Sequence, residues 1–177
     1  LAAAVTGANC VVMVVPSHGY REVFRQLLPQ LADGTLVVSA VKGIEVDSGM
    51  TMTEIMAAEN RGGKPLHFCV LSGPSFAAEV ADCQPTAVTA ACVDAQAAET
   101  VQQLFAAEYF RVYAASDVKG LEISSALKNV IAIGAGICDG LGYGLNTRAA
   151  LITRGLAEIT RMGVALGAQP QTFAGLG

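Results

Sequence analysis

Three apolar runs of strand length, each closing in small or polar residues, constrain this chain more than any other feature. Cys10 to Val15 (CVVMVV) ends in Pro16-Ser17, Thr35 to Val41 (TLVVSAV) in Lys42-Gly43, and Leu66 to Leu71 (LHFCVL) in Ser72-Gly73-Pro74-Ser75. A β-branched run without polar alternation predicts a strand buried on both faces. Segments with helical spacing separate the runs: 18–31, with Val23, Leu27 and Leu31 in phase, and 50–59. A short helical piece at Phe76 to Ala81, a fourth strand at Thr86 to Ala91, a helix at Ala95 to Ala107 and a last strand at Phe110 to Ala114 continue the alternation. The pattern predicts an α/β fold with a parallel sheet covered on both faces.

Ligands of open parallel sheets bind outside the carboxyl ends of the strands. The three closures therefore predict one crevice. Gly43 and Gly73 let backbone approach a ligand, amides after Pro74 could face an anion from a helix N-terminus, and Lys42 adds positive charge. Gly, Pro and Ser are also ordinary loop residues, but here three strand ends agree and one carries a lysine.

From Asp117 to Cys138 the chain has no proline and keeps helical spacing, which predicts one long helix apolar nearly all round and therefore set in a core. Past Glu122 its one charge before Asp139 is Lys128, among Leu127, Val130, Ile131 and Ile133. Ser124, Ser125, Ala132, Ala135 and Gly136 are its small neighbours on the same face, forming a trough beside the ammonium. Such a lysine is either a salt-bridged seam residue or a group placed for chemistry. A Gly-rich turn follows, and Asn146 is the expected N-cap of a second helix reaching Leu166. Glu158 with Arg154 and Arg161 reads as a solvated stripe, and Arg148 as a surface residue. The change from alternation to pure helix places a domain boundary near Ala115, giving units 1–115 and 116–177.

Composition removes several function classes. A net charge of −4 offers no basic footprint for nucleic acid. No unbroken apolar run reaches the roughly 18 residues of a membrane span, and no signal peptide is visible. Five dispersed cysteines without metal-like spacing fit a reducing cytoplasm, and two distant histidines make a metal site no expectation. The chain opens at Leu1 inside a helix end and stops at FAGLG, so it reads as an internal stretch of a longer protein.

Taken together, VVPSHGYREV, VSAVKGIE, LSGPSFAAEVA, PTAV, FRVYAASDVKGLEISSALKNVIAIGAGICDGLGYGLNTRAALITRGLAE and PQTFAGL resemble bacterial NAD(P)-dependent glycerol-3-phosphate dehydrogenase over essentially the whole chain. VKGIE, SGPSFA and ALKNVIAIGAGI, in this order, are the most specific parts. The resemblance implies the C-terminal part of a Rossmann-type domain followed by the start of an all-helical domain, with the active site between them. It implies interconversion of sn-glycerol 3-phosphate and dihydroxyacetone phosphate with NAD or NADP, in the cytoplasm, for glycerophospholipid synthesis, in a family that is often dimeric.

By motif, Lys128 is the implied proton acceptor and also touches substrate. Lys42 contacts cofactor and substrate, Gly73 and Ser75 contact substrate, and Ala77, Pro16 and Ser17 lie on the cofactor. The family's glycine fingerprint falls before Leu1 and its substrate-phosphate triplet after Gly177. Gly177 replaces an alanine of the motif, and Lys119 a usual apolar residue.

Two other readings stand beside this one. Related lysine-based hydroxyacid dehydrogenases carry an asparagine four residues after the lysine, where this chain has Ala132; its Asn129 is adjacent to Lys128 instead. A non-catalytic nucleotide-binding or dimerising piece would keep the same residues.

Overall fold

In the computed structural model, which describes residues 1–175, each apolar run becomes a strand of one five-stranded sheet. The strands are β1 (Cys10–Met13), β2 (Leu36–Ser39), β3 (His67–Ser72), β4 (Thr86–Cys92) and β5 (Phe110–Ala115), in spatial order of sequence. The helices are α1 (Ala2–Val5), α2 (Tyr20–Leu27), α3 (Met52–Glu59), α4 (Ala77–Ala81), α5 (Ala95–Phe105), α6 (Val118–Gly140) and α7 (Leu145–Ala165). A 3-10 turn at Pro170–Ala174 follows α7. Leu176 and Gly177, the end of the last motif, lie outside the described residues.

β1, β2 and β3 are parallel, with Val11 opposite Val37 and Val37 opposite Phe68. The expected parallel sheet is present in three of its four strand pairings and departs at the remaining one. β4 runs antiparallel to β3, Cys69 facing Cys92 and Ser72 facing Thr89, and β5 is parallel to β4. The connection from β3 to β4 carries only the five-residue α4, which at about 1.5 Å per residue is too short to run back along the strand as a crossover helix does.

Adjacent strand residues serve opposite faces. Val37 belongs to a core with Tyr20, Phe24, Leu27, Ile55 and Met56, which seats α2 and α3. Val38 belongs to a second core with Val88, Ala98 and Val101, which seats α5 on the other face. Coverage is incomplete at β1, which pairs with β2 alone among the described residues, and Val12 there is exposed.

The reversal of β4 and β5 determines where α6 goes. β5 leaves the chain at the edge where β3 begins, so α6 must run back along β3. Leu121 packs on Val70, the Ser125 hydroxyl meets that of Ser72, and Lys128 reaches Gly73 just past the strand end. Glu122 fixes this crossing: its buried carboxylate accepts from the Thr53 amide (2.8 Å) and hydroxyl (2.5 Å) in the first turn of α3. A carboxylate there meets the positive end of the helix dipole, while burial raises its pKa.

Only the first part of α6 is a core helix. Gly120 to Ser125 are buried, but Val130, Ile133 and Ile137 are more than half exposed, because beyond the sheet edge α7 is the one helix among the described residues that packs on it. By length and composition α6 could cross a membrane, although Lys128 and Asn129 break its apolar run; the buried crossing of the sheet accounts for its apolar start.

α7 starts one residue before the expected cap. Gly144, in extended conformation, precedes Leu145, and Asn146 falls inside the first turn with no capping bond, so the glycine supplies the entry geometry instead. Glu158 pairs with Arg154 and Arg161 on an exposed stripe, as expected, and Arg148 pairs with Asp139 across the α6–α7 turn.

Asp117 joins the helical part together. Its carboxylate caps α6 through the Gly120 amide (2.9 Å) and also accepts from the Gln169 amide (2.9 Å) and the Thr172 hydroxyl (2.5 Å). The 3-10 turn is thereby held so that Phe173 packs with Ile123 and Ala168. Asp117→Ala removes all three acceptor contacts and is expected to lower stability by about 1–3 kcal/mol, read as a lower urea midpoint at unchanged slope. Asp117→Asn, which keeps one acceptor oxygen, should fall between the two.

Candidate functional site

Parallel β1, β2 and β3 bring their closing segments to one edge. After β1 the chain passes Pro16 and Ser17; after β2 it passes Lys42 and Gly43. These two segments touch: a Cβ on Gly43 would lie 2.9 Å from the Ser17 Cβ, and the φ of Gly43 is +158°. Glycine is required there on both counts. After β3, Gly73 leans on the start of β4, where a Cβ would lie 2.8 Å from the Val88 Cα and 2.9 Å from the Ala87 carbonyl oxygen.

A cavity of about 290 Å³ opens at this edge, lined by Lys42, Pro74, Ser75, Phe76, Lys128, Asn129 and Ala132. The Lys128 ammonium donates to the Gly73 carbonyl at 3.1 Å. Lys128 and Ala132 also border an apolar groove of about 320 Å³ between α6 and α7, with Ile152, Leu156 and Ile159. A larger cavity, about 520 Å³, lies against Tyr113, Leu121 and Thr172, and none of the described residues lining it is basic.

Electrostatics mark Lys128 as unusual. Its pKa falls from the ordinary lysine value to about 8, first because burial disfavours the charged form, then because the Lys42 amine stands beside it. Among the described residues, no carboxylate lines the cavity. Two amines facing one space without a counter-charge make a site for an anion, and a lysine titrating near neutrality can give or take a proton.

Lys42, Ser75 and Lys128 line the cavity together, and Gly73 borders it through its carbonyl. Pro16 and Ser17 do not line it; they stand behind Gly43, along the same sheet edge. Ala77 is exposed, at the first turn of α4 beyond Phe76. α4 has only five residues, so its N-terminus provides less field for an anion than the sequence suggested. The trough of small residues is open only on its C-terminal side, at Ala132 and Ala135; Ser124 and Ser125 are buried beneath the sheet edge. Phe76 and Asn129 line the cavity without having been singled out as site residues, and adjacency to Ser75 and Lys128 was the available signal. The Ser17 and Gly43 segments touch along the carboxyl edge of the parallel strands, the edge at which open parallel sheets bind ligands.

Known proteins align with this arrangement. The family model for the NAD-dependent glycerol-3-phosphate dehydrogenase N-terminus matches residues 1–98, and that for the C-terminus residues 117–177. A glycerol-3-phosphate dehydrogenase [NAD(P)+] of Geobacter metallireducens is 58% identical over 98% of the chain, and one of Desulfotalea psychrophila is 57% identical over 98%. The crystal structure of glycerol-3-phosphate dehydrogenase from Coxiella burnetii superposes with a TM-score of 0.92 at 37% identity, covering 99% of this chain and 53% of that one. The chain spans about half the length of the curated relatives it matches, 52% in both cases.

Proposed function

The chain belongs to the NAD-dependent glycerol-3-phosphate dehydrogenase family, and from that premise we propose that it carries the base and part of the substrate site of an enzyme interconverting sn-glycerol 3-phosphate and dihydroxyacetone phosphate. The observation that carries this reading is the pairing of Lys128 with Lys42 over a cavity without carboxylates.

In the oxidative direction the neutral amine of Lys128 takes the C2 hydroxyl proton, and in reduction its ammonium polarises the ketone and returns that proton. Bound NAD or NADP would supply the hydride chemistry at C2. The Gly73 carbonyl accepts one Lys128 hydrogen, which turns the lone pair of the neutral amine away from it and toward the cavity. Lys42 and Ser75 hold the substrate, Lys42 also meeting the cofactor along with Pro16, Ser17 and Ala77. Residues 1–115 and 116–177 are the dinucleotide and helical units of this reading, joined by the buried start of α6. Five free thiols support a cytoplasmic location and the exposed apolar flank of α6 a homodimer.

The deciding assay is dihydroxyacetone-phosphate-dependent oxidation of NADH and of NADPH by the longest natural chain containing these residues. Absence of turnover there, with turnover on a hydroxyacid lacking phosphate, would reject the reading in favour of the related dehydrogenases.

A pH dependence follows from the lowered pKa. Oxidative kcat/KM should rise tenfold per pH unit below about pH 8 and level off above it, because only the neutral amine accepts a proton. Reduction should show the opposite limb, falling above about pH 8. A flat oxidative profile between pH 6 and pH 9 (roughly one unit or more either side of that pKa) would count against Lys128 as the base.

A further inference from the structure

We propose that Ser72 and Ser125, which are buried and do not line the cavity, are positioning residues that set Lys128 against the Gly73 carbonyl. The inference rests on the reading of Lys128 as the base.

Their hydroxyls are 2.5 Å apart and both side chains are buried. Ser125 also lies 2.6 Å from the Leu121 carbonyl, which can only accept. The Ser125 hydrogen therefore goes to Leu121, and Ser72 donates to the Ser125 oxygen. Ser72 is the last residue of β3 and immediately precedes Gly73. Ser125 lies three residues before Lys128 on the same face of α6. The hydroxyl bond thus links the strand to the helix one step behind the amine–carbonyl contact.

Gly73 itself is not free to follow a shift of the helix, because its α-carbon rests on the Val88 and Ala87 backbone. The acceptor is fixed by β4; the donor is fixed by Ser125. Every other charged group near Lys128 is accounted for. Lys42 faces it across the cavity, Glu122 on its own helix turns to Thr53, and α7 presents Ile152, Leu156 and Ile159. A loosened α6 would carry the amine away from both Lys42 and the Gly73 carbonyl and into water.

The two serines differ in what their loss leaves behind, and that asymmetry separates positioning from simple stability. Ser125→Ala strands a buried donor on Ser72, whereas Ser72→Ala leaves Ser125 still bonded to Leu121. A structural role predicts that only Ser125→Ala has a large effect. A positioning role predicts that both raise the Lys128 midpoint above about 8 and both lower kcat about tenfold, with the KM for cofactor unchanged and with Ser72→Ala unfolding near the wild-type midpoint.

The experiment measures kcat, both KM values and thermal unfolding for wild type and the two variants in the longest natural chain. Alongside, it titrates Lys128 by NMR after reductive methylation with isotopically labelled formaldehyde. Wild type without turnover defeats the functional reading, and the titration then still decides the positioning claim. An unchanged Lys128 midpoint and kcat in Ser72→Ala overturns the proposal. A raised midpoint in both variants supports it.

Discussion

Lys128→Met is expected to lower kcat by about 10² to 10⁴ while leaving cofactor affinity and folding close to wild type. Methionine matches the lysine stem in length and apolarity, so the wall shared by the cavity and the α6–α7 groove stays filled. What disappears is the titrating amine and its bond to the Gly73 carbonyl.

Stability should respond in a particular direction. The folded pKa of Lys128, about 8, lies below its ordinary value, so the charged form is the disfavoured one in the folded protein. Wild type therefore carries a penalty that is fully present below about pH 8, shrinks as pH rises from there, and is gone above the ordinary lysine pKa. The methionine variant should be as stable as wild type or more so at pH 7, with the difference fading at alkaline pH. Steady-state rates, cofactor titration and urea midpoints at two pH values check all three statements. Retained turnover would remove Lys128 from the chemistry altogether.

Gly73→Ala is the second large expectation, and it strikes fold and rate together. The added methyl meets main-chain atoms, the Val88 Cα and the Ala87 oxygen, and not the end of a flexible side chain. β4 cannot retreat, because Thr89 is paired with Ser72 in the ladder. The end of β3 must move instead, at a cost of about 1–3 kcal/mol, taking the carbonyl off Lys128 and displacing Ser75 from the cavity. Both the urea midpoint and kcat should fall. Gly136→Ala serves as the comparison: its Cβ meets nothing within 4 Å, so the helix should gain up to about 1 kcal/mol. Equal behaviour of the two variants would mean that Gly73 is not braced by β4.

Much of this was readable from residues because strand burial and helix period are local. CVVMVV, TLVVSAV and LHFCVL declare strands by their own composition, and their closures at Pro16, Lys42 and Gly73 pointed to one edge. The direction of β4 was not readable: TAVTAAC is equally apolar in either sense, and direction is settled by whether the preceding connection can cross the sheet. The bare flank of α6 was hidden for a related reason. Val130, Ile133 and Ile137 record that a side chain is apolar but not what lies against it. At Asn146 a strong capping residue lost to Gly144, since helix entry depends on backbone torsion as well as side-chain chemistry. Ser125 was noticed for its size and missed for its hydroxyl, because its partner Ser72 lies 53 residues away in the chain.

The path of α6 has a consequence for which changes this chain can accept. Lys128 stands where it does by a count of residues, since α6 starts at Val118, at the end of the sheet where β3 begins, and the ten residues to Lys128, at about 1.5 Å each, span the length of a short strand. The helix works as a measuring rod with its zero mark at Glu122 on Thr53. One residue inserted between Ser125 and Lys128 would swing the amine by about 100° around the rod and point it away from Gly73. Substitutions on the outer flank disturb no such count. Among natural variants of this chain, side chains at Val130 or Ile137 can change without moving Lys128, whereas the spacing from Glu122 to Lys128 must be inherited unaltered.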